Sequence, residues 1–103
     1  MRKAEVFMHG ILAGVLEEIQ AGNLYRFTYH SDYFGPPISL TLPRKQQKYE
    51  FDTFPTFFEG LLPEGAQLDA LLRIKKIDPE DLFSQLVAVG TDLVGAVILK
   101  ELK

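Results

Sequence analysis

The chain contains no cysteine. That absence removes disulfide staples, thiolate nucleophiles and cysteine-based zinc sites together, and it suits a reducing cytoplasm. Histidine is scarce: only His9 and His30 occur, both on expected strands or strand ends. With only scattered carboxylates to complete a metal shell, they read as ordinary histidines, and no metal is expected. Long apolar runs are missing too. "ILAGVL" is interrupted by Glu17 and Glu18, and the two basic residues of "MRKAEVFMHG" precede no long hydrophobic stretch. Neither a signal peptide nor a membrane span is legible, so the expected location is the cytoplasm, away from membrane. Positive charge is thin: the net charge is -3, and only "RKQQK" at 44 to 48 clusters basic residues, as a solvated loop would. Direct nucleic-acid binding wants a broader positive face and is not expected.

Reactive constellations are equally sparse. Ser31, Ser39 and Ser84 lack a G-x-S-x-G context. The glycines at 10, 14, 22, 35, 60, 65, 90 and 95 never gather in a phosphate-cradling strand-to-helix turn. Glu17–Glu18 sit at a strand end and Glu80–Asp81 at a helix start, where structure already explains them. The chain is read as no enzyme, with no cofactor.

What is present is a core. At 103 residues there is room for one domain, spanning 1–103. A chain this long buries about 65% of its unfolded surface. Hydrophobic content of 47% and charged content of 24% are ordinary for a globular domain. No repeat or linker divides it.

The first half has a period of two. "AEVFMHG" alternates, Gly10 invites a tight turn, and residues 4 to 19 read as a hairpin. Gly14, inside the second strand, signals a bulge or a close backbone approach. "AGN" makes the next turn, and "LYRFTYH" supplies aromatic and β-branched types that favour a third strand. "DYFGPP" is a connection, and "ISLTLP" alternates as a half-buried fourth strand would. The second half changes to helical spacing. Thr53 is placed to cap a helix starting near Pro55, with Phe54, Phe57, Phe58, Leu61 and Leu62 in step and Pro63 as its stop. "AQLDALLRIKK" predicts a second helix, and "DPEDLFSQLVAVG" a third, capped by Asp78 and stopped at Gly90. "GAVILKEL" reads as a returning strand. The expectation is an α+β fold, an antiparallel sheet of about five strands with about three helices inserted before the last.

Three stretches in order then resemble the N-terminal subdomain of HipA-type toxin kinases. "PISLTLP" supplies Pro37, Ser39, Leu40, Leu42 and Pro43. "FPTFFEGLLPEG" supplies Phe57, Phe58, Leu61, Leu62 and Pro63. "DLFSQLVAVGTDLVGAV" supplies Gly90, Asp92, Val94, Gly95, Ala96 and Val97. Kinases of that type continue into a much longer body that carries the ATP and substrate residues. A free-standing copy resembles the HipS component of three-part HipBST toxin–antitoxin systems. The resemblance implies an antitoxin that binds and inhibits a HipT-like Ser/Thr kinase toxin by protein–protein contact. A HipB-like DNA-binding protein is a possible further partner in the same complex. Two alternatives stay open: a structural or regulatory subunit of a HipB-containing repressor complex, and the N-terminal fragment of a full-length HipA-type kinase. "MRKAEV" looks like a natural start, while "KELK" fits either a stop codon or a cut in a longer chain.

Within that picture the expected partner interface is Phe54 with the corner Leu62, Pro63, Glu64, Gly65, Ala66 and Gln67. A proline-stopped helix makes a rigid corner from which the last four project. Phe57, Phe58, Leu61 and Leu62 also have a structural use, because an amphipathic helix needs an inward face.

Overall fold

The computed structural model describes residues 1–93 and 95–102, so Val94 of the closing motif lies outside the described residues. Along the chain come β1 (Arg2–Met8), β2 (Ile11–Gln20), β3 (Leu24–Tyr29), β4 (Lys48–Phe51), α1 (Thr56–Glu59), α2 (Gly65–Lys75), α3 (Leu82–Val89) and β5 (Val97–Leu102). The strands pair antiparallel in the order β4-β3-β2-β1-β5. This is the α+β fold that the change of period indicates, with three helices inserted before the last strand.

The meander follows directly from the sequence. His9 and Gly10 both take positive φ, 51° and 81°, as a two-residue hairpin turn requires. At Gly14 both expected effects occur. The β1–β2 register slips between Val6 and Phe7, and a Cβ on Gly14 would lie 2.3 Å from the Thr28 carbonyl oxygen. Alternation puts Val6, Leu16, Phe27 and Leu99, all fully buried, on the side facing the helices. Phe58, Phe83 and Leu86 complete that core from above.

Three local expectations need correction. "ISLTLP" is not a strand; the fourth strand is Lys48–Phe51, at the end of the supposed loop. Its alternation arises otherwise. Leu42 N–H donates to the Ser39 carbonyl at 3.0 Å and Thr41 N–H to Ser39 Oγ at 3.2 Å, closing a turn. Tyr29 Oη accepts from Ile38 N–H at 3.0 Å and donates to the Leu42 carbonyl at 2.5 Å. The segment's backbone groups are therefore satisfied by a tyrosine and a hydroxyl turn, with no ladder. Ile38 and Leu42 are buried while Leu40 is 95% exposed.

The first helix is a single turn. Pro55, not Thr53, stands at its cap, no side chain caps it, and it closes at Gly60 before reaching Pro63. Beyond it, Leu61 N–H donates to the Phe58 carbonyl and Leu62 N–H to the Glu59 carbonyl, which keeps the apolar spacing without a regular helix. The third helix is capped by Asp81, which accepts from Ser84 N–H, and not by Asp78. Asp78 shapes the preceding turn, its Oδ1 accepting from Glu80 N–H at 2.8 Å.

Candidate docking surface

The corner between α1 and α2 is built from the core outward. Phe58 is fully buried, its ring 5.9 Å from that of Phe27, so α1 is fixed to the middle of the sheet. Two tight turns then lift the chain off the sheet, leaving Leu61, Leu62 and Pro63 half-buried. Glu64 is extended, and Gly65 opens α2 at φ 59°, a left-handed conformation that disfavours any side chain. Glu64, Gly65, Ala66 and Gln67 are all exposed.

Leu62 and Pro63 form a ridge between two hollows. One, of about 410 Å³, runs past Leu61, Gln67, Val89 and Leu93. The other, of about 210 Å³, is edged by Glu64, Leu68, Pro79 and Leu82. The helix that follows is lightly seated. No residue of α2 is buried; Leu68, Leu71 and Leu72 are only half-covered, and Ile74 is 71% exposed. The structure thus brings Leu62 through Gln67 together at the surface. Phe54 stands apart from them, 8% exposed, with its ring edge-on to Tyr25 at 5.3 Å. It belongs to the core and to a different hollow, of about 360 Å³, beside β4.

The sequence carried no hint of a charged cluster at Arg2. Its guanidinium meets Glu18 in a two-pronged contact, at 2.6 and 2.8 Å, and reaches Asp81 Oδ1 at 2.9 Å and Ser84 Oγ at 2.6 Å. It also lies over the Phe83 ring, 5.0 Å from the centroid. The hydrogen bonds that Arg2 donates to Glu18 and Asp81 raise its pKa further. Burial pushes the Asp81 carboxyl up, but the bonds from Arg2 and Ser84 outweigh it and hold the group below its ordinary range. Partners 16 and 79 positions away along the chain leave no motif to read. The cluster ties the first strand to the cap of α3, and its charges are spent on one another.

Among the described residues no group of three or more His, Cys, Asp or Glu is placed to hold a metal ion. His30 Nδ1 accepts from Asp32 N–H at 3.2 Å, a turn contact, and His9 belongs to the hairpin turn. Among the described residues no helix is long and apolar enough to cross a membrane. What the arrangement offers is shape: an apolar ridge, two flanking hollows and an exposed polar tip.

Comparison with known proteins gives this surface a context. Residues 4–100 match the family described as the HipA N-terminal domain. An uncharacterized protein of Haemophilus influenzae is 35% identical over 103 residues, which take in all of this chain and 95% of that protein. The putative kinase Y4mE of Sinorhizobium fredii is 26% identical over 102 residues, 96% of this chain but only 24% of the kinase. A solved N-terminal domain of HipA toxin superposes with a TM-score of 0.79 at 30% identity, covering 100% of this chain and 94% of that one.

Proposed function

Because the chain belongs to the HipA N-terminal domain family, we propose that it is a non-catalytic, antitoxin-type subunit that binds a HipT-like Ser/Thr kinase in the cytoplasm and holds it inactive. One observation carries this reading: relatives of the domain come in two settings. It makes up about a quarter of the putative kinase Y4mE, and nearly all of the Haemophilus influenzae protein. Within a kinase chain, a contact face is kept against the kinase at high effective concentration by the tether. Without a tether, the same face must hold its partner through its own apolar anchors and polar rim. The corner Leu62–Gln67 has that composition, and it lies open rather than sunk in the core.

Co-expression with a HipT-like kinase from the same genome tests the reading. The expected outcome is that the kinase co-purifies with this chain and no longer arrests growth. Full toxicity with no co-purification would overturn it. Competition by ATP then separates the two modes of restraint. Weakened inhibition at high ATP means an obstructed cleft; indifference means a kinase locked in an unproductive arrangement.

The Sinorhizobium fredii relative favours a second reading, in which the domain works in cis as the N-terminal part of a HipA-type kinase. The same corner then meets the same kinase body, and the reading frame that follows this one distinguishes the two.

A further inference from the structure

Gln85, on α3, is 1% exposed, and it is the most deeply buried residue lining the hollow of about 210 Å³ beside Leu62 and Pro63. Its amide nitrogen donates to the Asp78 and Pro79 carbonyls, at 3.3 and 3.0 Å. Carbonyls only accept, so the orientation of the amide is fixed and both its hydrogens are spent. The amide oxygen accepts no bond among the described residues. Every fully enclosed polar side-chain atom among them has a partner. This oxygen therefore keeps an opening to solvent, and the hollow provides it.

Around that acceptor the hollow has apolar walls and an acidic rim. Leu62, Pro63, Leu68 and Leu82 form the walls, and the exposed Glu59 and Glu64 stand at the rim. Neither carboxylate is paired with a cation among the described residues, and Glu64 does not cap the helix it precedes. No basic side chain lines the hollow, and none occurs in the sequence between Lys48 and Arg73 or between Lys76 and Lys100. The lining side chains thus offer the acceptors of Glu59, Glu64 and Gln85 and no free donor. An anion would meet only acceptors there, and a purely apolar group would cover the Gln85 oxygen without bonding it. A volume of about 210 Å³ is below the roughly 300–1,000 Å³ of small-molecule sites, so a single side chain fills it.

We propose that this hollow seats one long basic side chain, arginine or lysine, from the kinase. Its methylene stem lies along the leucine and proline walls, and its charged head donates to Gln85 Oε1 and to the Glu59 and Glu64 carboxylates. The site rests on the kinase-binding reading above and adds the chemistry of what the corner grips.

The test is biosensor binding of the purified domain to an immobilised HipT-like kinase from the same genome. Glu59→Lys and Glu64→Lys are compared with the parent and with Glu101→Lys, which makes the same change of charge at an exposed position on the edge strand β5. Each of the first two should weaken binding about tenfold or more while the melting transition is kept, and the loss should appear in the dissociation rate, as for a seated charge pair. Glu101→Lys should bind like the parent. If the parent binds and the Glu59 and Glu64 variants match Glu101→Lys, or lose association rate alone, the basic side chain is wrong and the kinase-binding reading stands. If the parent does not bind, both fall.

Discussion

Tyr29→Phe removes one oxygen atom and should cost this domain a large part of its stability. The ring itself would keep its place. It meets Phe27 edge-on at 4.8 Å and stacks on Tyr33 with 2° between planes, contacts that phenylalanine reproduces. What is lost is the hydroxyl that accepts from Ile38 N–H and donates to the Leu42 carbonyl. Both residues are buried, so each backbone group is left without a partner. An orphaned buried group costs about 1–3 kcal/mol. Two together, partly relieved by water or relaxation, amount to about 3 kcal/mol, or roughly 12–24 °C in Tm for a domain of this size. Urea unfolding of parent and variant gives the difference, provided the two slopes agree. A loss below about 0.5 kcal/mol would show that the hydroxyl does not hold the 38–42 turn, because that is what a change with no structural role produces.

Other consequences follow from single contacts. Gly14→Ala would place a Cβ 2.3 Å from the Thr28 carbonyl oxygen and 2.8 Å from Phe27 Cζ; with backbone on one side there is no room to yield, and a loss of about 3 kcal/mol or more is expected by calorimetry. Gly22→Ala meets nothing within 4 Å and should cost only the left-handed backbone penalty, about 1 kcal/mol. Asp81 has a folded-state pKa below its unfolded value of 3.8, so its contribution is complete above that value and is lost as pH falls through the folded one. Asp81→Asn, which keeps the cap, should therefore flatten the acid side of the stability profile, by under about 1 kcal/mol for so exposed a pair. Ala66→Arg at the exposed corner should leave Tm unchanged and weaken binding of the purified domain to an immobilised HipT-like kinase by about tenfold, read on a biosensor; unchanged binding would remove the corner from the interface.

The sheet was legible where sequence pattern and backbone demand coincide. Residues 4 to 29 alternate, and their turns contain glycines at 10 and 22 that do adopt positive φ. "ISLTLP" misled because alternation reports burial, not hydrogen bonding. A turn pinned at Ile38 and Leu42 hides every second side chain at its ends as a strand would, and only the partner of its N–H groups tells them apart. The true fourth strand, "KYEF", is four residues at an edge with two outward charges, and reads as loop. α1 failed for a related reason, since successive tight turns preserve the Phe57, Phe58, Leu61, Leu62 spacing after the helix has closed. Asp78 and Asp81 both precede the third helix, and the choice fell to the one with Ser84 three residues on, able to use both its backbone N–H and its hydroxyl. Of the expected surface, Leu62 to Gln67 stand together where Gly65 opens α2 at positive φ, although the helix before them closes at Gly60 and not at Pro63. Phe54 went inward because Tyr25, on an edge-proximal strand, offered it a ring to pack against.

The two faces of the sheet explain why the corner and the hollows beside it lie on one side. Away from the helices, Lys3, Glu17, Arg26 and Glu50 run across β1 to β4 with successive contacts of 3.6, 3.9 and 2.8 Å. Such exposed pairs add little stability, but alternating signs cancel one another and leave that face finished without a partner. The other face has to be covered by helices of 4, 11 and 8 residues, the longest of which buries none of its own side chains. A cover that short does not close over five strands. The hollows open where it runs out, beside Leu62 at one end of α1 and beside Phe57 at the other. Apolar walls left open by an incomplete layer are what a second protein fills most favourably, and both openings follow from the same shortage of helix.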